Sequence, residues 1–240
     1  MSDRPDFSIC LLTYNRRAQL VLRWNELWGL YGHRPDVEFC VLDNGSTDGT
    51  RELLAGLAGV AHDPPSAWKV VYKSLPENIA MQGWNELVAM SSAPTFVWLC
   101  DDVRVFGDIL TPMVAVIEAT GGLAVVCNHD VLNPYTWNEF AQGKVMIPYL
   151  EMDICAMRRE VWDDVGELDP RFKLLSYQDV DWCHRAQLKG YVLRGIMRPD
   201  GSSILPVEHR SLSGQNPEHT IINRAIFAEK WGLHNSPERP

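Results

Sequence analysis

The stretch Trp98-Leu-Cys-Asp-Asp-Val103 ends an apolar run in two adjacent carboxylates. A run of this kind reads as a strand buried on both faces. Acids at its end project from the sheet edge, where open α/β folds place their ligands. Asp101 and Asp102 repel each other unless a cation or a hydrogen-bonded ligand compensates them. The spot therefore invites a divalent metal and something rich in oxygen. A surface turn that happens to hold two Asp residues is the plain alternative, and the rest of the chain decides between them.

Upstream of this stretch, strand and helix signals alternate. Residues 7–12, 37–42 and 68–72 are apolar runs read as strands, and 96–100 is the fourth. Residues 16–31 carry Leu20, Trp24, Leu27, Trp28 and Tyr31 on one helical face, with Asn15 placed to cap them. Asp43-Asn-Gly-Ser46 is turn chemistry, after which Thr47 or Asp48 can cap a helix holding Leu53, Leu54 and Leu57. Residues 77–90 read as a helix with Trp84, Leu87 and Val88 inward. A β-α-β-α-β-α-β series implies a mostly parallel sheet with helices on both faces. Polar residues gather where the strands end, at Thr13-Tyr-Asn-Arg16, Asp43-Asn-Gly-Ser46 and Asp101-Asp102, and three loops on one edge make a ligand crevice. No Gly-x-Gly-x-x-Gly or Walker-type loop appears.

The second half is less regular. Residues 122–127, 153–157, 191–196 and 204–207 read as strands, and 158–165, 178–189 and 221–231 as helices. Residues 129–149 read as an irregular excursion, 211–217 as a polar loop suited to closing over a ligand, and the Pro-rich end as a frayed tail. No linker or repeat is evident, so 1–240 is expected to form one domain. Its two halves would cover about 1–105 and about 106–240.

The 240 residues are 46% hydrophobic and 22% charged, with a formal net charge of −9 and no Lys/Arg block. That argues against nucleic acid as the partner, because phosphate neutralisation needs clustered cations. The run at 7–12 is too short for a membrane span, and no signal-peptide pattern accompanies it. Six scattered cysteines with no Cys-x-x-Cys pair suit reduced, buried thiols in a cytoplasmic protein.

These residues resemble the inverting glycosyltransferases of family 2, including bacterial rhamnosyltransferase-like members, over roughly residues 7–210. The resemblance rests on an ordered set: Leu12-Thr-Tyr-Asn-Arg16; Val41-Leu-Asp-Asn-Gly-Ser-Thr-Asp-Gly-Thr50; Leu75-Pro-Glu-Asn78 with Gly83 and Asn85; and Leu99-Cys-Asp-Asp-Val103 at the place of the metal-binding "DxD". Arg158-Arg-Glu, Gly166-Glu-Leu-Asp-Pro-Arg-Phe172 and Tyr177-Gln-Asp-Val-Asp-Trp-Cys-His-Arg185 complete it. It implies the GT-A fold, a Rossmann-like, mostly parallel sheet with a smaller acceptor-side sheet in the second half. It further implies metal-dependent transfer of a sugar from a UDP-, dTDP- or GDP-linked donor to a saccharide or lipid-linked acceptor, as in polysaccharide biosynthesis. Membrane contact would be peripheral at most, and homo-oligomerisation is left open.

Chemistry and resemblance together assign the site. Asp43, at a strand end, can accept a hydrogen bond from the N–H of uracil, thymine or guanine; its alternative is a turn-former before Asn-Gly. Thr13, Asn15 and Arg16 belong to the same crevice. Asn78 either caps a helix or touches the donor, and the family's usual glycine two residues later is Ala80 here. The resemblance gives Asp101 the ribose hydroxyls and Asp102 the metal, with His209 as second ligand and Mn²⁺ or Mg²⁺ as the ion. Cys100 replaces an acid that many members carry. Asp179 aligns with the family's catalytic base. Asp179 and Asp181 stand about 200° apart on a helix, so only one can face the crevice. Gln178 replaces a Glu, which is expected to keep the pKa of the base lower. Asp153 falls on the acceptor side, to touch donor sugar or acceptor, with His129, Asp130 and residues 135–137 as a candidate acceptor wall. The rival readings are a nucleotidyltransferase, which would carry a Gly-rich first loop, and a non-catalytic nucleotide-sugar-binding protein.

Overall fold

The computed structural model describes residues 4–60, 69–128, 136–139, 143–173, 175–198, 200, 202–209 and 217–233. Its strands are β1 (Phe7–Thr13), β2 (Val37–Asp43), β3 (Lys69–Ser74), β4 (Thr95–Cys100), β5 (Val103–Val105), β6 (Ala124–Cys127), β7 (Thr136–Glu139), β8 (Gly143–Met146), β9 (Ile154–Arg158), β10 (Val192–Gly195) and β11 (Val207–His209). Its helices are α1 (Arg17–Tyr31), α2 (Thr50–Val60), α3 (Gly83–Met90), α4 (Leu110–Ala119), α5 (Arg159–Val165), α6 (Gln178–Leu188) and α7 (Pro217–Trp231). Seven strands form the central sheet in the order β10-β6-β9-β4-β1-β2-β3. All pairings in it are parallel except those of β9, which runs antiparallel to β4 and β6. Two small antiparallel sheets, β5 with β11 and β7 with β8, stand beside it. This is the GT-A-type architecture.

Strand alternation divides the core between the two faces of the sheet. Ile9, Leu11, Val97 and Leu99 pack with Leu20, Trp24 and Leu27 of α1. Cys10, Phe96 and Trp98 face the other way, toward α3, α5 and α6. Four tryptophans bind that second layer together. Trp84 stacks on Trp98 at 4.4 Å, Trp98 meets Trp162 edge-on at 5.8 Å, and Trp162 stacks on Trp182 at 5.5 Å. Each such contact adds about 0.5–1.5 kcal/mol beyond burial. The row runs from α3 through β4 to α5 and α6, so it fixes the start of α6 relative to the sheet edge.

Register brings the polar residues together. Thr13 pairs with Asp43 across β1 and β2, and Leu12 pairs with Cys100 across β1 and β4. Because β9 is antiparallel to β4, Ile154 lies opposite Leu99, and Asp153, one residue before β9, arrives at the same edge. His209 pairs with Val103 across β11 and β5, which carries it next to Asp102.

Several local expectations need correction. Residues 77–90 are not one helix: a 3₁₀ turn at Ala80–Gln82 precedes α3. The late strand lies at Val207–His209 instead of 204–207. The excursion at 129–149 contains the β7–β8 hairpin. Asn15 makes no capping bond to α1. Asp48 does that work, accepting from Arg17 N at 2.8 Å, and it also accepts from Thr50 N and Oγ1 at the start of α2. Residues 211–216 of the polar loop, the tail from 234, and His129, Asp130 and Tyr135 lie outside the described residues. No helix among the described residues is long and apolar enough to cross a membrane.

Candidate functional site

The loop after β1 and the loop after β2 are locked together first. Asn15, at φ 51°, donates its N–H to Ser46 Oγ and accepts from Thr47 N, both at 2.8 Å. Asp43 is fully buried and accepts from Ser46 N through Oδ1 at 2.9 Å, while Oδ2 has no hydrogen-bond partner among the described residues. Gly45 has φ +81°, and a Cβ there would lie 2.4 Å from the Glu77 carbonyl carbon, so only glycine lets residues 77 and 78 come this close. Asn44 exploits that approach, donating to the Ala80 carbonyl at 2.9 Å and accepting from Ile79 N at 3.0 Å. Asn78 accepts from Ala80 N at 2.7 Å. It braces this turn and does not cap α3.

The acidic pair is compensated from within the protein. Thr13 Oγ1 donates to Asp101 Oδ2 at 2.7 Å, and Arg16 Nη1 reaches Asp101 Oδ1 at 2.5 Å and Asp102 Oδ2 at 3.4 Å. Burial pushes the Asp101 carboxyl up, and the Arg16 charge opposes that shift. His209 stands between two carboxylates, with Nε2 3.6 Å from Asp102 Oδ1 and Nδ1 3.2 Å from Asp153 Oδ2. Its pKa is raised, first by Asp102 and against the pull of burial, with the Asp153 charge adding to the rise. Burial, reinforced by Asp102, holds the Cys100 thiol well above its ordinary value. With no metal bound, Cys100 is therefore a neutral thiol. A carboxylate and an imidazole remain as donors, and that set fits Mn²⁺ or Mg²⁺ completed by phosphate oxygens.

A cavity of about 340 Å³ opens on this edge. Of the residues singled out from the sequence, Thr13, Arg16, Asn78, Asp101 and Asp102 line it, and Asn15, Asp43, Asp153, Asp179 and His209 do not. Motif reading passed over Asn44 and Tyr14, which sit inside quoted motifs, and Leu175 and His219, which no motif marks. Trp84 also lines the cavity; although it packs on Trp98, its buried Nε1 has no hydrogen-bond partner among the described residues. Asn223, fully buried on α7, closes the far wall by holding the Leu175 loop. Its Nδ2 donates to the carbonyls of Lys173, Leu175 and Ser176 at 2.7–3.1 Å.

The two acids of α6 part company. Asp181 is fully buried and bonded to Arg185 Nε at 3.0 Å, Lys230 Nζ at 2.9 Å and Trp231 Nε1 at 3.0 Å. It ties α6 to α7 and has no capacity left for a proton from substrate. Asp179 accepts from Val180 N at 2.9 Å. Burial pushes its pKa up to about 6, with help from the Glu151 charge. The expected lowering by Gln178 is overridden, because desolvation outweighs the loss of one neighbouring charge. Glu151 also acts on His209, so its field reaches both Asp179 and His209. Ser176 and Tyr177, at φ 84° and 69°, make the sharp entry into α6. Tyr177 is anchored there against Phe227, 5.5 Å away.

The chain belongs to glycosyl transferase family 2: the family's sequence profile matches residues 8–167. A sequence search of curated proteins gives no match. Among solved structures, the chain is similar to a mannosyltransferase from Pyrobaculum calidifontis in complex with GDP-Man and Mn²⁺, with TM-score 0.66 and 17% identity over 98% of this chain and 66% of that one. It is similar to S. aureus TarS, with TM-score 0.57 and 15% identity over 79% and 35% of the two chains. GalNAc-T7 with UDP, GalNAc and Mn²⁺ gives TM-score 0.62 and 13% identity over 95% and 48%. The chain thus spans from about a third to two thirds of the length of these proteins.

Proposed function

We propose that this chain is an inverting glycosyltransferase moving a sugar from a nucleoside-diphosphate donor to an acceptor hydroxyl. The observation that carries the reading is the meeting, on one sheet edge, of Asp43, Asp101, Asp102 and His209, residues from three separate segments with complementary chemistry. Asp43 Oδ2, buried without a partner, would accept from a base N–H. Asp101 would accept from the ribose hydroxyls. Asp102 and His209 would hold a divalent ion, which when bound neutralises charge on the departing diphosphate. The Mn²⁺ in the mannosyltransferase and GalNAc-T7 structures supports that choice.

Asp179 acts as general base on the acceptor side. Its Oδ takes the hydroxyl proton as that oxygen attacks the anomeric carbon from the face opposite the leaving diphosphate, which inverts the centre. A pKa of about 6 leaves it ionised at neutral pH and still basic enough to accept the proton. Arg16 keeps Asp101 and Asp102 oriented. The acceptor is a saccharide or a lipid-linked saccharide, and residues 1–240 act as one catalytic domain. Six free thiols support a reducing, cytoplasmic setting.

The test is transfer or slow hydrolysis of UDP-, GDP- and dTDP-sugars with and without Mn²⁺. Turnover of one donor only with the ion present is the expected result. Nucleotide binding without turnover of any donor, with acceptors supplied, would favour a binding protein instead.

A further inference from the structure

Asp153 is buried at the ligand edge beside His209 and does not itself line the cavity. Its surroundings are rigid. Its carbonyl accepts from Cys100 N at 2.9 Å, and Trp98 Nε1 donates to the preceding Met152 carbonyl at 2.7 Å. The carboxylate therefore rides on the end of β4, the strand that delivers Asp101 and Asp102. Both of its oxygens are engaged: Oδ1 accepts from Ile154 N at 2.9 Å, and Oδ2 stands 3.2 Å from His209 Nδ1. The other ring nitrogen of His209 faces Asp102.

We propose that Asp153 is a positioning residue that accepts the Nδ1 hydrogen of His209 and so turns Nε2, as the lone-pair nitrogen, toward a divalent ion held at Asp102. Imidazole has two inequivalent nitrogens, and the hydrogen bond made by one decides which is left to bind a metal. A carboxylate on the far nitrogen fixes the tautomer and the ring plane and raises ligand basicity; losing such a partner typically weakens metal binding 10–100-fold. His209 needs this support because β11 has only three residues and the ring is part exposed. Direct ligation by Asp153 is the competing arrangement, in which the nitrogen signal of His209 would not depend on Asp153.

The inference rests on the metal reading above, and the experiment separates the two. Mn²⁺ affinity is measured by calorimetry in the presence of UDP or GDP, and the imidazole nitrogen coupling to bound Mn²⁺ is read by pulsed electron paramagnetic resonance. The proteins compared are wild type, Asp153→Ala, Asp153→Asn, His209→Ala and the Asp153→Ala/His209→Ala pair. Asp153→Ala and His209→Ala are each expected to raise the Kd for Mn²⁺ 10–100-fold and to lose the nitrogen signal. The double variant should be no weaker than His209→Ala, because the carboxylate acts only through the ring. Asp153→Asn, whose amide oxygen still accepts, should keep the signal and bind within a few-fold of wild type. An Asp153→Ala protein that keeps the nitrogen signal overturns the inference alone, whether its affinity holds or falls. A wild-type protein that binds Mn²⁺ without any nitrogen signal, or does not bind it, overturns the His209 ligand assignment as well.

Discussion

Thr13 Oγ1 and Asp101 Oδ2 lie 2.7 Å apart and tie the end of β1 to the end of β4. The bond bridges two neighbouring strands at the edge where their side chains meet the cavity. Arg16 takes the other Asp101 oxygen, so the carboxylate is held from two sides before any ligand arrives.

An Asp101 oriented in this way is expected to read the ribose. Hydrogen bonds to a charged group are worth about 1.5–3 kcal/mol, so Asp101→Ala should weaken UDP or GDP binding at least tenfold. The sharper expectation concerns discrimination. Wild type should bind UDP more tightly than its deoxyribose counterpart, and Asp101→Ala should bind the two equally. Calorimetry on the four combinations checks this. Retained preference for the ribonucleotide in the variant contradicts the assignment.

Asp179 links pH to both activity and stability. With a pKa of about 6, kcat/KM should rise with pH through about 6 and level off above 7, and Asp179→Asn should abolish transfer while leaving nucleotide affinity largely intact. The sign for stability runs the other way. A carboxyl whose folded pKa is raised favours the folded state below its unfolded value, and that contribution is lost as pH climbs through about 6. Asn stays neutral at every pH. Asp179→Asn should therefore be more stable than wild type by about 1–2 kcal/mol at pH 7.5, a value discounted for the partial exposure of the side chain, and the gain should fall to about a third of that near pH 4.5 and vanish only below the ordinary aspartate value of about 3.9. Urea melts at the two pH values measure it.

Ala80 occupies a backbone conformation with φ 53°, which costs a non-glycine residue about 1–2 kcal/mol. The family's usual glycine explains the geometry, and in this chain Asn44 and Asn78 hold the turn against that strain. Ala80→Gly relieves it at the expense of a more flexible unfolded chain. The net effect should be a stabilisation of about 0.5–1 kcal/mol in urea unfolding, with nucleotide affinity unchanged. Destabilisation would mean that the alanine methyl packs usefully in the cavity wall.

Much of this architecture is legible because the strands are buried on both faces. Residues 7–12, 37–42 and 96–100 are mainly apolar, interrupted only by Ser8 and Glu38, and all three are strands within a residue or so of the expected limits. The ends of the strands are legible for the same reason, which is why Thr13, Arg16, Asp101 and Asp102 were identified as one crevice. What the sequence hides depends on pairing between distant segments. His209 reaches Asp102 because β11 pairs with β5, about a hundred positions upstream, and a three-residue strand leaves no periodicity to read. Asp153 turns toward His209 for a reason that lies in the antiparallel β9, not in its own neighbours. Asn15 resembles a cap in sequence, but its positive φ directs it to the loop after β2. His219 and Leu175 reach the cavity only because Asn223 and Asp181 hold α7 and the loop before α6 in place.

That last dependence gives a prediction that separates the two acids of α6. Asp181 balances Arg185 and Lys230 in a site with no access to water, and removing one partner of a buried pair costs about 3–5 kcal/mol. Lys230 keeps Asp169 as a partner at 2.7 Å, so Asp181→Ala should lie at the lower end, about 3 kcal/mol in urea unfolding. Because α7 carries His219 into the cavity wall, nucleotide affinity should weaken as well. The rise of kcat/KM near pH 6 should persist, since Asp179 is untouched. A flattened pH profile in Asp181→Ala, with the variant still folded, would move the base from Asp179 to Asp181. Loss of stability with the profile intact assigns Asp181 to the scaffold and leaves Asp179 as the acid of this helix that takes the proton.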